Sequence, residues 1–239
     1  MEKPSRVLRF DVLDSTQEWA RAHLDGLPGF ALVAAARQTA GHGRRGRAWL
    51  SGEGGLSFTL VFVPRAPAAA RPQYAQVAAI AMARALRARR GVPVSLKWPN
   101  DLLAAGAKLS GILLDSAGAG PGTRMLLGVG MNVLSAPAVA DRPVCALADF
   151  LENPPSPDEV LEEMVDAIAE GFDRFEREGM APFAADFRTF DALVGTRRRL
   201  LTGREELEGV VLGVTDDGAL RFLPDGGAER VVWSGEILI

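Results

Sequence analysis

Hydrophobic and polar residues follow two patterns along this chain, one typical of helices and the other typical of strands. Apolar residues at helical spacing, together with start and stop signals, predict helices at residues 15–24, 72–90, 161–179 and 181–190. Apolar runs bounded by turn residues predict strands at 7–13, 30–38, 56–63, 94–98 and 125–133, and a hairpin over 102–117 that turns at Ala105-Gly106. This part of the chain is therefore predicted to combine strands with helices.

The pattern changes after about Ala192, where short apolar runs alternate with glycine-containing turns. Short strands are predicted at residues 197–201, 208–214, 219–223 and 229–232. Their size and spacing are typical of a small SH3-like β-barrel. The chain is therefore predicted to have two domains, at residues 1–191 and 192–239.

Composition narrows the classes of function without selecting one. The 239 residues are 48% hydrophobic and carry a formal net charge of −3, so any nucleic-acid-binding surface would have to be local. Cys145 is the single cysteine, which excludes an internal disulfide framework and a cysteine-rich metal site. The sequence starts without an apolar signal core and has no stretch long enough to span a bilayer, so a cytoplasmic location without membrane partners is expected.

A loop rich in glycine and arginine follows the second predicted strand. Residues 41–49 read Gly-His-Gly-Arg-Arg-Gly-Arg-Ala-Trp and contain the pattern G-x-G-x-x-G. A dinucleotide-binding turn with this pattern leads into a helix, whereas here more glycines and then a strand at 56–63 follow. Main-chain N–H groups freed by glycine and forked guanidinium groups both suit phosphate oxygens. The competing interpretation is a solvated basic surface loop.

Other polar clusters lie at the ends of predicted strands, where functional sites are commonly built. They are Asp14-Ser15-Thr16, Lys97-Trp98-Pro99-Asn100-Asp101 and Lys108, and a glycine pair at Gly128 and Gly130 permits close approach to a strand. Taken singly, each has an ordinary structural explanation, such as helix capping by Ser15 or a lysine that reaches solvent. No metalloprotease, nucleophile-elbow or P-loop motif is present. The combination favours charge-driven chemistry on a polyphosphate.

Five blocks occur in the order Asp14-Ser15-Thr16, Gln38 with residues 41–49, residues 97–101, residues 108–113 and Gly128-Val129-Gly130-Met131-Asn132. Together they resemble the ordered signature of biotin protein ligases. The resemblance covers about residues 13–133. It implies an α+β fold, with a mixed sheet and flanking helices of the class II synthetase-like, biotin–lipoate ligase type, followed by the SH3-like domain.

The same resemblance implies two half-reactions. The biotin carboxylate attacks the α-phosphate of Mg-ATP to form biotinyl-5′-AMP, and a lysine of a biotin carboxyl carrier domain then takes the biotinyl group. ATP, Mg²⁺ and biotin are accordingly the expected small molecules, and the carrier domain is the expected partner. The substrate carboxylate is the nucleophile, so an activated serine or cysteine is not needed.

By similarity to the family, site roles are expected at matching positions. Lys108 and Arg44 are the expected catalytic residues, and Asp101 is the expected metal ligand. Expected biotin-binding residues are Ser15, Thr16, Gln17, Gln38, Gly41, His42, Gly43, Arg44, Trp49, Lys108, Gly111, Gly128 and Gly130. Expected ATP-binding residues are Arg44, Arg47, Lys97, Asn100, Asp101 and Asn132.

The sequence departs from the family pattern at a few points. His42 stands where many relatives have arginine, and Gln17 stands where asparagine is frequent. Val144 lies near the place where some relatives carry an aromatic residue over adenine. Because only six residues precede Val7, a DNA-binding segment and repressor activity are not expected.

Two alternative functions stay open on sequence grounds. A lipoate–protein ligase shares the fold and reaction, although the glycine–arginine loop and residues 97–101 favour biotin. A nucleic-acid-binding module using Arg44, Arg45 and Arg47 is less favoured, because the net charge is acidic and no aromatics interleave with those arginines. A homodimer is compatible with the predicted edge strands and with family habit.

Overall fold

The structure is a computed structural model that describes residues 3–118, 120–140 and 142–238. Most of the chain folds around one large sheet, and the strands predicted for this region are confirmed. Its strands are β1 (Arg6–Leu13), β2 (Phe30–Gln38), β3 (Leu56–Phe62), β4 (Val94–Lys97), β5 (Asp101–Ala104), β6 (Ala107–Ala117) and β7 (Arg124–Met131).

The large sheet is mixed, as predicted, with the strand order β1-β2-β3-β7-β6-β5-β4. β1 pairs with β2 in parallel, and every other neighbouring pair in this sheet is antiparallel. β5 and β6 form the predicted hairpin, in which Ala105 and Gly106 both have positive φ values of 48° and 78°. Two consecutive residues in this conformation suit the right-handed twist of a tight hairpin.

Helices cover both faces of the large sheet. They are α1 (Thr16–Ala22), α2 (Gln73–Arg90), α3 (Pro157–Glu178) and α4 (Ala181–Phe190). Side chains of β2 alternate between two buried clusters: Ala31 and Val33 pack with Ala20 of α1, and Leu32 and Ala34 pack on the side of α2 and α3. The sheet therefore separates a small α1 layer from a larger helical layer.

The larger layer is built on aromatic residues. Tyr74 of α2 lies with its ring centroid 4.9 Å from that of Phe62, 4.8 Å from that of Phe172 and 5.0 Å from that of Phe175. These edge-on contacts, together with the burial of the rings, make the aromatic face of α3 core, as its helical spacing predicts. No helix in the described part of the chain is long and apolar enough to cross a lipid bilayer.

The first helix is shorter than predicted. Ser15 caps it as expected, because its hydroxyl accepts a hydrogen bond from the Glu18 amide at 3.4 Å. The helix ends at Ala22, since His23 leaves the helical conformation and a 3-10 turn spans Leu24–Gly26. The capping serine places Thr16 and Gln17 on the first turn of α1, where both are buried.

The C-terminal residues form a second, antiparallel sheet in the order β11-β10-β9-β8-β12. Its four predicted strands are confirmed, whereas the last strand has no counterpart in the prediction. The described strand pairings leave the sheet open, so a closed SH3-like barrel stays a prediction. The strands are β8 (Arg197–Leu201), β9 (Glu206–Val214), β10 (Leu220–Pro224), β11 (Arg230–Val232) and β12 (Glu236–Leu238).

The two sheets share one buried core. Leu200, Phe222 and Ile237 of the second sheet belong to the same hydrophobic cluster as α2 and α4. Trp98, which is 2% exposed, follows β4 and donates its indole N–H to the carbonyl of Gly218 at 3.1 Å. The predicted boundary between residues 191 and 192 stays a prediction, because the change from helix to strand there coincides with extensive packing across it.

Candidate active site

A cleft opens on the α1 face of the large sheet, under the glycine–arginine loop (residues 41–55). Six lysine and arginine side chains line it against two carboxylates, those of Asp101 and Glu236. The cleft therefore has an excess of positive charge. Predicted site residues that line it are Ser15, Thr16, Gln17, Gln38, His42, Gly43, Arg44, Arg47, Trp49, Lys97, Asn100, Asp101, Lys108, Gly111, Gly128 and Gly130.

The inner end of the cleft is a hydrogen-bonded group of neutral side chains. Gln38, at the end of β2, accepts hydrogen bonds on Oε1 from the Thr16 amide at 2.8 Å and from the Thr16 hydroxyl at 3.1 Å. Gln17 donates from Nε2 to the carbonyl of Leu126 at 3.0 Å and to Asp115 at 3.2 Å. This end can therefore recognise a polar, uncharged group by hydrogen bonds.

The two glycines of β7 are approached by the protein's own side chains. A Cβ atom built on Gly128 would lie 2.7 Å from Oε1 of Gln17, and one built on Gly130 would lie 2.2 Å from the indole of Trp49. Both distances are shorter than van der Waals contact, so larger residues would displace Gln17 and Trp49. The strand glycines thus let one wall of the cleft pack closely on the sheet.

The middle of the cleft holds a cluster of cations around Asp101. Lys108 Nζ lies 2.7 Å from Asp101 Oδ1, and Lys97 Nζ lies 3.6 Å from Oδ2. Arg44 donates to Asn100 Oδ1 at 3.5 Å. Burial lowers the pKa of the Lys97 ammonium and of the Arg44 guanidinium, while the charge of Asp101 opposes that change in both. A single carboxylate for three cations leaves this region suited to anionic ligands.

The second sheet holds the glycine–arginine loop from outside. Arg44 donates to the carbonyl of Gly235 at 3.1 Å, and Arg45 donates to that of Leu201 at 3.3 Å. Glu236, whose side chain is 16% exposed, forms an ion pair with Arg45 at 3.7 Å and hydrogen-bonds Arg47. Arg45 itself has a positive φ of 58°. The strand β12 therefore closes the outer end of the cleft.

His42 contacts α1 through its side chain as well as through its backbone. Its backbone forms an isolated bridge with Ala48, which narrows the base of the glycine–arginine loop. Its Nε2 atom lies 3.5 Å from Oε1 of Glu18, which also faces Arg21. The histidine thus links this loop to the first helix.

Two predicted residues lie outside the cleft lining. A Cβ atom built on Gly41 would lie 2.7 Å from Gln38 Nε2, so the absence of a side chain here leaves room for the Gln38 amide. Asn132 lines an adjoining pocket together with Trp49 and Val144, and its amide donates to the carbonyl of Cys145 at 3.0 Å. Val144, which lies near the place where some relatives carry an aromatic residue, therefore lines the wall of this pocket.

Sequence reasoning missed several residues of the cleft. Arg45 is absent from the predicted biotin and ATP sets, and Arg142 lines both the cleft and the adjoining pocket. Glu236 was missed because it lies in β12, a three-residue strand too short to give a pattern. Arg142 follows no recognisable motif either, so only its proximity in the folded chain identifies it.

The carboxylates of the cleft offer few ligands for a resident metal ion. Within the described ranges, no three carboxylate, histidine or cysteine side chains come together as a metal-binding group. Each carboxylate oxygen of Asp101 faces a lysine ammonium, which competes with a dication for the same lone pairs. The described side chains therefore do not fit a protein-only Mg²⁺ site, and the metal role of Asp101 stays a prediction.

Comparisons with known proteins agree over nearly the whole chain. Residues 9–132 match the sequence model of the biotin/lipoate A/B protein ligase family. The chain is 37% identical over 232 residues to a biotin–acetyl-CoA-carboxylase ligase of Paracoccus denitrificans, with 94% of this chain and 96% of that relative covered. It is 28% identical to the bifunctional ligase/repressor BirA of Bacillus subtilis strain 168, with 94% of this chain and 71% of that relative covered.

A solved structure with a similar fold is the biotin protein ligase from Aquifex aeolicus in complex with biotin and ATP. The TM-score is 0.85 and the sequence identity is 27%, and the alignment covers 98% of this chain and 97% of that chain. The similarity therefore extends across both sheets.

Proposed function

Since this chain belongs to the biotin/lipoate A/B protein ligase family, we propose that the cleft under its glycine–arginine loop is the active site of an ATP-dependent biotin ligase. The enzyme activates biotin as biotinyl-5′-AMP and transfers it to a lysine of a carrier domain. Similarity to biotin ligases over both sheets supports this activity. The observation that carries the site assignment is the junction, in one cleft, of a neutral hydrogen-bonding end with a cluster of cations.

In the first half-reaction, an oxygen of the biotin carboxylate bonds to the α-phosphorus of ATP, and pyrophosphate leaves. The reacting groups are both anions, so their approach is the main electrostatic obstacle. Lys108 and Arg44 neutralise that repulsion, and Lys97 and Arg47 contact the phosphates. Thr16 and Gln38 hold the ureido ring at the inner end, which orients the carboxylate toward the cations.

In the second half-reaction, the amine of the carrier lysine attacks the carbonyl carbon of the mixed anhydride. The carbon–oxygen bond to phosphate breaks, AMP leaves, and the proton on the new amide nitrogen passes to solvent. Trp49 covers the adenylate and slows its hydrolysis by water. Asn132 serves the nucleotide from the adjoining pocket.

Mg²⁺ enters the site as part of the Mg-ATP substrate. Oxygen ligands from phosphates and water meet most of its octahedral requirement, so a protein cage is not needed. The chain's own contribution at Asp101 is to orient Lys108 and Lys97 by the two ion pairs described above.

Lipoate is the nearest alternative substrate. Its dithiolane ring has neither N–H donors nor a carbonyl acceptor, so it would leave the remaining acceptor of Thr16 and the remaining donor of Gln38 without partners in the closed site. A nucleic-acid-binding role is less favoured for a different reason. Arg45 and Arg47 already pair with Glu236, and Arg44 is partly buried in the cleft.

Further expectations belong to the same proposal. The carrier domain, a cytoplasmic location and a homodimer are inferred from the family and from the demand for ATP. In the second sheet, the last strand pairs with the first, which supports an SH3-like arrangement. Light scattering coupled to gel filtration would test the homodimer.

The activity itself is tested with a purified carrier domain of a biotin-dependent carboxylase. After incubation with biotin, Mg²⁺ and ATP, mass spectrometry should show a mass gain on one carrier lysine that requires all three. Lipoate supplied in place of biotin is the matched control. Modification by lipoate at a comparable rate would contradict biotin as the specific substrate. Salt-dependent binding of nucleic acid, with neither modification, would contradict the proposed ligase activity.

A further inference from the structure

A chain of hydrogen bonds runs beneath the inner end of the cleft and includes residues that do not line it. We call it the hydrogen-bond relay. Its central member is Thr59 of β3, which is 0% exposed and is absent from the cleft wall. The members in order are Asp115, Gln17, Thr59, Thr16 and Gln38.

One end of the relay sets the orientation of the Gln17 amide. Its nitrogen faces two acceptors, Asp115 Oδ2 and the carbonyl of Leu126. The amide oxygen must then face the other way, toward Thr59 Oγ1 at 3.1 Å. Asp115 is itself held by Arg21, whose NH2 group lies 2.7 Å from the same carboxylate oxygen. The flip of this amide is therefore determined by acceptors outside the cleft.

The other end sets the orientation of Gln38. The backbone N–H of Thr16 can only donate, so the atom of Gln38 that faces it at 2.8 Å is the oxygen. The Gln38 amide nitrogen is thereby left as a donor. The Thr16 hydroxyl lies 3.1 Å from the same Gln38 oxygen, which can accept its proton.

Thr59 connects the two ends. Its hydroxyl lies 3.1 Å from Gln17 Oε1 and 3.0 Å from Thr16 Oγ1. Because an amide oxygen only accepts, the Thr59 hydroxyl donates its proton to Gln17. Thr59 therefore does not donate to Thr16, and the Thr16 hydroxyl donates its own proton to Gln38 or to Thr59. In both cases the remaining lone pairs of Thr16 stay available as acceptors.

We infer that Thr59 is a positioning residue that keeps the Thr16 hydroxyl an acceptor toward the ligand, beside the Gln38 amide donor, and thereby contributes to selection of a cyclic urea. This inference rests on the proposed function. A cyclic urea offers N–H donors and a carbonyl acceptor, which match an acceptor at Thr16 and a donor at Gln38. A ring without N–H groups gains nothing from this polarity, so Thr59 contributes to discrimination between biotin and lipoate.

The test compares Thr59→Val, which keeps the shape and removes the hydroxyl, with Thr59→Ser, which keeps the hydroxyl. In titration calorimetry without ATP, Thr59→Val is expected to have an about tenfold higher Kd for biotin than wild type. This corresponds to a loss of about 1.4 kcal/mol in binding free energy. Desthiobiotin, which retains the ureido ring, should weaken by the same factor. The KM for ATP should be unchanged, and Thr59→Ser should bind biotin within about twofold of wild type.

Two further variants separate the relay from general damage. Ser57→Ala alters a buried polar residue on the same face of β3 and should leave biotin binding unchanged. Asp115 lies outside the cleft lining, yet Asp115→Asn should weaken biotin binding because it replaces the charged acceptor that holds the Gln17 amide nitrogen with a neutral one. It also keeps the relay testable if Thr59→Val does not fold.

The outcomes distinguish this inference from the proposed function. If wild type shows no biotin-dependent release of pyrophosphate, the proposed function fails, whatever the variants do. If wild type is active and folded Thr59→Val or Asp115→Asn binds biotin as wild type does, the relay is overturned. An equal rise in the Kd for biotin and in the KM for ATP would also overturn it, since such a rise indicates a structural defect.

Discussion

Lysine is rare in this chain, and its placement is informative at the residue scale. The sequence contains three lysines among its 27 lysine and arginine residues, at positions 3, 97 and 108. Two of the three line the cleft and face Asp101. Arginine supplies the other positive charges of the cleft. A compact ammonium on a flexible stem can follow a reacting anion, whereas the planar guanidinium suits fixed bidentate contacts.

Replacing Lys108 should suppress adenylation while leaving the fold intact. Lys108→Met removes the ammonium closest to Asp101, so the approach of the two anions loses its nearest neutralising charge. We expect at least about a hundredfold loss in biotin-dependent exchange of pyrophosphate into ATP, in line with the loss of one electrostatic stabiliser. Circular dichroism would check the fold.

Lys3→Met is the matched control for that prediction. Lys3 is exposed and pairs with Asp166 far from the cleft, so exchange should be unaffected. Exchange at the wild-type rate in Lys108→Met would exclude Lys108 from the reaction.

Cys145 is expected to be unreactive in the folded protein. Burial raises the pKa of its thiol to about 11, and its Sγ atom lies 3.4 Å from the carbonyl of Ala107. At pH 8 the thiolate fraction is then roughly one in a thousand, far below that of a free thiol. Mass spectrometry should find little alkylation by iodoacetamide until urea is added. Rapid alkylation without urea would show that the thiol is accessible.

At the scale of elements, the glycine–arginine loop depends on a strand from the other sheet. Its three arginines all contact the segment around β12 or the end of β8. This arrangement couples the outer end of the cleft to the C-terminal residues. The loop also packs through Trp49 onto Gly130, so it has an inner and an outer support.

Glu236→Gln should loosen this loop. The substitution removes the charge that pairs with Arg45 and Arg47 and keeps the side-chain size. Trypsin, which cleaves after arginine, should cut within residues 44–47 several times faster in the variant, because local opening becomes more frequent. Peptide mapping would locate the cuts, and biotin with Mg-ATP should slow them.

Glu229→Gln provides the control for the loop experiment. Glu229 pairs with Arg221 on the exposed surface of the same sheet, away from the cleft. Its cleavage pattern should match wild type. If Glu236→Gln also matches wild type, β12 does not hold the loop.

At the scale of the whole molecule, the two sheets are expected to unfold together. Trp98 follows a strand of the first sheet, packs in the shared core, and donates its indole N–H to Gly218 of the second. Cooperative unfolding follows where buried apolar contacts are continuous across a boundary. The boundary at residue 191 would then separate two sheets that differ in architecture but unfold in one transition.

Trp98→Phe should lower the stability of the whole protein. It removes one buried hydrogen bond and leaves a small cavity, which together cost about 2–3 kcal/mol. For a chain of this length we expect Tm to fall by roughly 4–12 °C. A single transition in scanning calorimetry would support common unfolding. Two separate transitions, with the smaller one alone shifted, would show that the second sheet unfolds independently.

Much of the fold was predictable because its signals are local. Ser15 caps α1 through a contact three residues away, and Ala105-Gly106 turn within their own hairpin. The helix over Pro157–Glu178 follows from the spacing of its apolar residues. The predicted site residues come from short blocks of sequence, and nearly all of them line one cleft in the structure.

Contacts between distant segments could not be inferred from those blocks. Glu236 meets Arg47 across 189 positions, and Thr59 meets Gln17 across 42. Asp115 of β6 orients Gln17 of α1 across 98 positions. The amino-acid sequence thus specified the helices, the strands and the chemical types at the site, because these depend on spacing within a few residues. Strand order, the charge excess around Asp101 and the polarity of the relay arise only when remote side chains are packed at hydrogen-bonding distance.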